Sequence, residues 1–347
     1  MVKEITIYDL AKELNYSVAT ISRALQDDPS VKAVTKKKII ELAEKKGYRL
    51  NYFASSLRKR KTHTIGVILH ELNSYFIVSV LAGIEKILSN TEYDIIIAHS
   101  GESGKKEVAN ANNLFHKRVD GLIASLAYDT PNLSHFNQFI EKKIPVIFFD
   151  RVEENSNGTK VIIDNYKAGY EATKHLIDQG CKRIVHVTAN LKRNVYNNRF
   201  EGYKAALKDN HLRFTENCLI ITDLRSDSSC IEVAKQIAKM KPLPDGLFII
   251  NDISAAIIMQ KLKELGIKIP EDIAVVGFNN DIVSTIVEPK LTTINYPGMS
   301  MGEVAARNLL NDLNGSNDIS LTSSIVIKSE LIVRQSSLKK KTKTVQQ

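Results

Sequence analysis

Between Ser17 and Leu25 the chain reads Ser-Val-Ala-Thr-Ile-Ser-Arg-Ala-Leu. Val18, Ala19 and Thr20, followed by Ser22 and Arg23, suit a helix lying in the major groove of a duplex. Small side chains permit close approach and apolar or hydroxyl contacts to base edges, and the helix N-terminus turns its N–H groups toward phosphate. A second group runs from Asn51 to Leu57, ahead of Arg58-Lys59-Arg60-Lys61. An apolar Leu57 beside four cations is equipped to pry open a minor-groove base step. A third group is spread over the remainder: His70, Asn73, Ser125, Asp150, Arg151, Asp164, Asn165, Arg193, Arg199, Asn251, Asp252, Asn279 and Asn280. Planar amides and guanidinium groups bind vicinal hydroxyls by paired hydrogen bonds, and Tyr75 and Phe76 offer rings for an apolar sugar face. The plainer readings are a three-helix bundle that binds nothing, a flexible linker, and a set of caps and turns. Asp164 and Asp252, each at a helix start, suit capping at least as well as ligand contact.

The elements that must position these groups follow from periodicity. Thr6 caps a first helix, with Asp9 as its capping-box acid, and Ile7, Leu10, Ala11 and Leu14 form its apolar face. Asn15-Tyr16 makes a tight turn, since Asn tolerates the left-handed conformation. Ser17 caps a second helix to about Leu25, with Ile21, Ala24 and Leu25 inward and Val18, Ala19, Thr20, Ser22 and Arg23 outward. Thr35 caps a third helix over residues 36–46, and Gly47 stops it. Asn51 can cap a helix of about two turns, too short to be stable alone, so this segment is expected to be loose until a partner orders it. Small Ala54 and Ser55 would let two copies pack closely.

From Thr64 the pattern changes to apolar runs at 64–69, 93–98, 121–124 and 146–149, with helices at 77–89 and 105–117. It restarts after 161–163 with a helix at 168–179, a strand at 183–187, a helix at 199–208, and strands at 218–221, 246–250 and 274–277. Continuous apolar strands alternating with helices imply parallel sheets buried on both faces. A last helix at 299–313 is expected to return to the first lobe. The fold class is thus an all-α helix-turn-helix head plus an α/β body of two doubly wound parallel-sheet lobes. The expected division is 1–50 head, 51–62 hinge helix and basic linker, 63–162 with 293–322 first lobe, 163–292 with 323–335 second lobe, and 336–347 disordered basic tail. Ligands of such sheets bind beyond the carboxyl ends of the strands, here in a cleft that a hinge motion can close.

Charge sorts the partners. The net charge of +9 is concentrated at the ends: residues 1–61 hold 14 Lys/Arg against 7 Asp/Glu, residues 334–347 hold 5 Lys/Arg and no acid, and the rest is mildly acidic. A polyanion would therefore meet the head. The tail, Lys339-Lys340-Lys341-Thr342-Lys343, reads as a solvated end. No apolar run approaches bilayer length, and no secretory segment precedes the first helix, so no membrane partner and a cytoplasmic location are expected. Cys181, Cys218 and Cys230 show no metal or redox spacing and read as reduced structural thiols. GxSxG, HExxH, P-loop and GxGxxG motifs are all missing, and neither cofactor nor metal is expected.

Several segments resemble the lactose/galactose repressor (LacI/GalR) family in family order. In the head these are Tyr8-Asp9-Leu10-Ala11, Ser17 to Leu25, Gly47-Tyr48 and Asn51, Ala54 and Leu57. In the body they include Asn73-Ser74-Tyr75-Phe76, Asp120-Gly121-Leu122-Ile123, Asn251-Asp252, Val275-Val276-Gly277-Phe278 and Leu291-Thr292-Thr293-Ile294. The resemblance implies a body similar to periplasmic sugar-binding proteins. It puts Val18, Ala19 and Thr20 where the family reads bases, and Ser17, Ser22 and Arg23 on the phosphates and sugar edges. It adds Thr6, Tyr8 and Asn51 to the DNA-binding set, makes Leu57 the minor-groove lever, and sets Ala54 at the two-fold contact of paired hinge helices. It implies effector contacts at His70, Asn73, Phe76, Ser125, Asp150, Arg193, Arg199, Asn251 and Asn279. Two departures stand out: Asn15-Tyr16 where members often carry Gly, and Asn279 where many carry Asp. The second removes a strong acceptor for a sugar hydroxyl. The implied protein is a homodimeric transcriptional regulator, a repressor by expectation, that binds a pseudo-palindromic double-stranded DNA operator under control of a small-molecule effector. A solute-binding protein shares the body but not residues 1–61, and an enzyme on this fold would need a nucleophile–base or metal constellation that the sequence does not display.

Overall fold

The computed structural model describes residues 5–48, 61–224, 226–316 and 324–339. The chain divides into two units, Met1–Thr62 and His63–Gln347. Asn51, Ala54 and Leu57, the hinge helix, and most of the basic tail lie outside the described residues.

The first unit contains α1 (Ile7–Leu14), α2 (Val18–Leu25) and α3 (Ala33–Lys45). The α1 start is a reciprocal capping box: Asp9 N donates to Thr6 Oγ1 at 3.3 Å, and Thr6 N donates to Asp9 Oδ2 at 2.8 Å. Asn15 ends α1 at φ 56°, in the left-handed region the turn requires. Leu10, Ala11, Ile21, Ala24, Ile39 and Ala43 form the small core. The third helix corrects the sequence expectation: it begins at Ala33, not 36, and Thr35 lies inside its first turn, not at its cap. Val31 packs against the core just upstream, so tertiary packing sets the entry and overrides the capping preference of Thr35.

The second unit holds two six-stranded sheets. The first orders β2 (Asp94–His99), β1 (Thr64–Leu69), β3 (Gly121–Ala124), β4 (Val146–Phe149), β5 (Thr159–Ile163) and β11 (Ser324–Ile327), all parallel. The second orders β7 (Leu219–Ile221), β6 (Ile184–Thr188), β8 (Gly246–Ile249), β9 (Ala274–Asn279), β10 (Thr292–Asn295) and β12 (Glu330–Ile332); only β12 is antiparallel to its neighbour. The central strands are buried along their length, as a sheet covered on both faces demands. Helices α4 (Tyr75–Leu88), α5 (Gly104–His116), α6 (Ser134–Glu141) and α12 (Gly298–Leu313) belong to the first lobe, and α7 (Asn165–Asp178), α8 (Asn194–Asp209), α9 (Asp227–Lys239), α10 (Asp252–Glu264) and α11 (Val283–Ile286) to the second.

The strand pairing corrects the expected lobe boundaries. Ile163 closes β5 in the first sheet, Thr292–Asn295 pair within the second, and Ser324–Ile327 extend the first beside β5. The chain therefore crosses between lobes after residues 163, 295 and 327. An apolar run announces a strand, but which sheet it joins is decided by pairing partners elsewhere in the chain. Helices α6, α9 and α11 were not expected, and α8 starts at Asn194, five residues before the expected start, which puts Arg199 in its second turn.

Each lobe contains one crossing where two helices touch backbone to backbone. A Cβ on Gly202 of α8 would meet the carbonyl oxygen of Tyr166 in α7, and one on Gly169 would meet that of Arg199. In the first lobe the same relation holds for Gly83 of α4 and Gly302 of α12. The α7–α8 contact brings Arg199 over the second sheet.

Candidate functional site

In the head, the outward face of α2 presents Ala19 and Arg23, both exposed. Among the described residues Arg23 has no ion pair, whereas Lys36 pairs with Asp27 at 2.6 Å and Lys46 with Glu13 at 3.0 Å. Ser17 Oγ accepts from Thr20 N at 3.1 Å and lies 2.8 Å from Thr20 Oγ1, so both hydroxyls already serve the cap. Tyr8 is 70% exposed on α1, and the Thr6 hydroxyl donates to Asp9 at 2.7 Å. Thr20 and Ser22 are half-buried. Val18 departs from the outward orientation expected of it: it is half-buried and packs against the head core.

In the body, a cavity of about 440 Å³ opens between the lobes at the carboxyl ends of the strands. His70, Asn73, Phe76, Asp150, Arg199, Asn251 and Asn279 line it, together with Glu102, Tyr128, Arg151, Tyr196, Asp281 and Tyr296. Two expected contacts lie elsewhere. Ser125 is fully buried behind His70, its Oγ 2.9 Å from His70 Nδ1. Arg193 precedes α8 and is committed to the other lobe, donating to the carbonyls of Tyr128 (3.2 Å) and Thr130 (2.7 Å) and to Glu153 (2.9 Å). Both follow strands, but a residue past a strand can support its neighbour or brace a lobe as readily as face a ligand. Asp164 caps α7, accepting from Lys167 N at 2.8 Å. Asp252 does not cap α10; Asn251 does, accepting from Ser254 N at 2.7 Å. Tyr75 is half-exposed and lies outside the cavity lining.

Two buried arginines organise the cleft. Arg151 donates from Nη1 to both Glu102 oxygens at 2.7 and 2.8 Å and from Nη2 to the Tyr196 hydroxyl at 2.8 Å, joining the first lobe to α8. Its guanidinium lies 4.5 Å from the Tyr128 ring, which stacks on Tyr196 at 5.6 Å. Arg199 donates from Nε to Asn165 Oδ1 at 2.8 Å and sits 3.5 Å from the Phe278 ring centre, a desolvated cation on an aromatic face. Asp150, held at φ 58°, accepts from the Tyr296 hydroxyl at 2.6 Å. Burial pushes the Asp150 carboxyl up, opposed by Arg151, the Tyr296 hydrogen bond and Arg199. Burial, with Arg151 and His99, holds His70 well below the usual imidazole range, so the ring is neutral. Phe76 stacks on Tyr296 at 4.1 Å and offers an apolar wall. Convergent amide, guanidinium and carboxylate groups against aromatic walls can bind a small molecule carrying several hydroxyls.

The head matches the family described as bacterial regulatory proteins, lacI family, over residues 6–51, and residues 173–337 match the periplasmic binding protein-like domain. Catabolite control protein A of Priestia megaterium is 32% identical, the alignment spanning 89% of this chain and 93% of that protein. This chain belongs to the LacI family. It is a DNA-binding transcriptional regulator controlled by a small-molecule effector. The fold of this LacI-family regulator also matches the lac repressor dimer bound to operator and an anti-inducer (TM-score 0.85, 22% identity, covering 97% of this chain and 100% of that one). A protein described as a periplasmic binding protein/LacI transcriptional regulator from Alkaliphilus metalliredigens, solved with D-xylulofuranose, matches at TM-score 0.66 and 26% identity over 79% of this chain and 99% of that one.

Sequence reasoning passed over Glu102, Tyr128, Tyr196, Tyr296 and Asp281, and named Arg151 without choosing it as an effector contact. The available signal was position: Arg151 directly follows Asp150, Tyr296 follows β10, and Asp281 follows two asparagines at the end of β9. Among the described residues no helix is long and apolar enough to cross a membrane, and no group of His, Cys, Asp or Glu is arranged to hold a metal ion.

Proposed function

We propose that this LacI-family regulator takes a sugar or sugar derivative in the cleft between its lobes and that occupancy changes its hold on an operator. The observation that carries the reading is the enclosed set of Arg199, Asp150, Asn73, Asn251 and Asn279 around a cavity of about 440 Å³, with Phe76 as an apolar wall. That volume suits a mono- or disaccharide. The sugar bound by the Alkaliphilus relative favours the same class. His70 contributes a neutral ring, whose orientation Ser125 fixes.

On the DNA side, Ala19 and Arg23 are the groups best presented to bases and phosphate, with Thr20, Ser22, Tyr8, Ser17, Thr6 and Val18 in support. Asn51, Ala54 and Leu57 are read as the hinge helix that pairs across a homodimer and wedges the minor groove. The protein acts as a cytoplasmic repressor on a pseudo-palindromic site, and no catalytic role is assigned. The effector works by differential affinity for two lobe arrangements, the requirement for any allosteric control. The test is a gel shift of the full chain on duplexes selected from a random library, with and without D-xylulose, D-ribose and cellobiose. A sugar that shifts the operator affinity supports the reading; sugars that bind without altering it refute the coupling. Leu57→Ala should weaken specific DNA binding and leave sugar affinity intact, and an unchanged operator affinity refutes the wedge.

A further inference from the structure

Position 279 carries Asn, and a carboxylate lies two residues further on. Asp281 lines the cavity and is 4% exposed. Its Oδ2 receives only a long 3.4 Å contact from Asn279 Nδ2, and its Oδ1 is buried without a hydrogen-bond partner. The main chain around it is pinned. Asp281 N donates to Asp252 Oδ2 at 2.8 Å, and its carbonyl accepts from Ser284 Oγ at 2.6 Å. Asn279 (φ 110°) and Asn280 (φ 58°) carry the chain through left-handed conformations to bring it there. Arg334 braces the turn, donating to Asn280 Oδ1 at 2.8 Å and to Ser284 Oγ at 3.1 Å. A strained turn held from several sides, ending in a buried acceptor with no donor, calls for a donor from outside the chain.

We propose that Asp281 is the second-lobe carboxylate that accepts from a ligand hydroxyl in this protein, in place of residue 279, and that it selects neutral polyhydroxylated ligands over phosphorylated ones. The proposal rests on the reading of the cleft as a sugar site. The selectivity follows from charge. Arg151 is neutralised by Glu102; Arg199 makes no ion pair among the described residues, and Asp150 is the carboxylate that acts on it across the cleft. Asp281 has no ion pair among the described residues, so a bound phosphate beside it would meet a carboxylate with no cation bound to it. A hydroxyl instead supplies the missing donor, and a donor to a carboxylate makes a strong hydrogen bond.

The experiment is calorimetric titration of the full chain with D-xylulose, D-ribose, D-glucose, cellobiose and D-ribose 5-phosphate. It is run on the wild type, Asp281→Asn, Asp281→Ser and Arg199→Ala, with the thermal midpoint of each ligand-free protein. At least one neutral sugar is expected to bind. Its affinity should fall tenfold or more in both Asp281 variants, while the ligand-free Asp281→Asn protein melts no lower than the wild type. A purely structural Asp281 would lower the midpoint instead, which overturns the proposal. Sugar binding that Arg199→Ala weakens and both Asp281 variants leave unchanged overturns the role of Asp281 and keeps the cleft reading. Binding of no sugar, or binding untouched by Arg199→Ala, overturns the cleft reading and the proposal with it. Tighter binding of D-ribose 5-phosphate than of D-ribose overturns the selectivity.

Discussion

Tyr196→Phe removes one oxygen from between the two lobes. That oxygen accepts from Arg151 Nη2 at 2.8 Å, where Arg151 is 3% exposed. A hydrogen bond to a charged partner contributes about 1.5–3 kcal/mol, and its loss here leaves a buried donor without an acceptor. The two Glu102 contacts at 2.7 and 2.8 Å stay, as does the ring stack on Tyr128 at 5.6 Å. The expected loss is therefore about 2 kcal/mol. That is below the roughly 3–5 kcal/mol that follows when one member of a buried ion pair is removed, as in Glu102→Gln. The assay is urea unfolding of the body's transition by circular dichroism, with the slope compared to confirm that the same surface is exposed. A change under about 0.5 kcal/mol would refute the reasoning, since that is the scatter of surface substitutions. The double variant with Glu102→Gln should fall short of additivity, because both act on one guanidinium.

Three further outcomes follow from particular contacts. Gly202→Ala drives a methyl group into the Tyr166 carbonyl, so α7 and α8 must separate; a loss of about 1–3 kcal/mol and weaker sugar binding through displaced Arg199 are expected, by unfolding and calorimetry. Burial pushes the Asp281 carboxyl up to about 6 from 3.8, opposed by the hydrogen bond from Asn279; Asp252, which accepts from the Asp281 N–H, is itself pushed well above the usual carboxylate range by burial. A raised acid favours the folded state when protonated, so its penalty appears as pH rises from about 4 to about 6 and reaches about 3 kcal/mol. Asp281→Asn should flatten that part of the ligand-free stability curve, and an unchanged curve would count against the burial argument. Arg23→Ala should weaken operator binding and, if its partner is phosphate, lower the salt slope by about 1; a salt slope and sequence preference both unchanged would remove Arg23 from the interface.

The parts of the fold legible in the sequence are those where one physical signal dominates. Gly121–Ala124 and Val146–Phe149 are apolar runs buried at every position, and their bounds are recovered to the residue. Thr6 with Asp9, Asn15, and Ser17 announce the first turns of α1 and α2 and the bend between them. Where local and tertiary preferences compete, the reading slips, as at Thr35, displaced by the packing of Val31. Strand β11 alternates exposed and half-buried positions at a sheet edge, so nothing local assigns it to the first lobe. In the cleft, position beyond a strand finds His70, Asp150, Asn251 and Asn279 but does not separate them from Ser125 and Arg193, whose side chains turn to other work. Asp281 lies one residue beyond Asn280, the last polar group named after the 274–277 strand; the Asn279-Asn280 pair, suited to left-handed backbone, was the sign that the chain continues around the cavity.

The three crossings between lobes also set an order of events during synthesis. The described head is one contiguous stretch, residues 5–48, and can pack as soon as it emerges. Neither sheet of the body is complete until its last edge strand has been made, β11 at Ser324–Ile327 and β12 at Glu330–Ile332. Arg334, which braces the turn that presents Asp281, comes later still. A chain interrupted between the end of the head and residue 334 can carry a folded head but not a braced cleft, so the cleft is completed late in the synthesis of the protein.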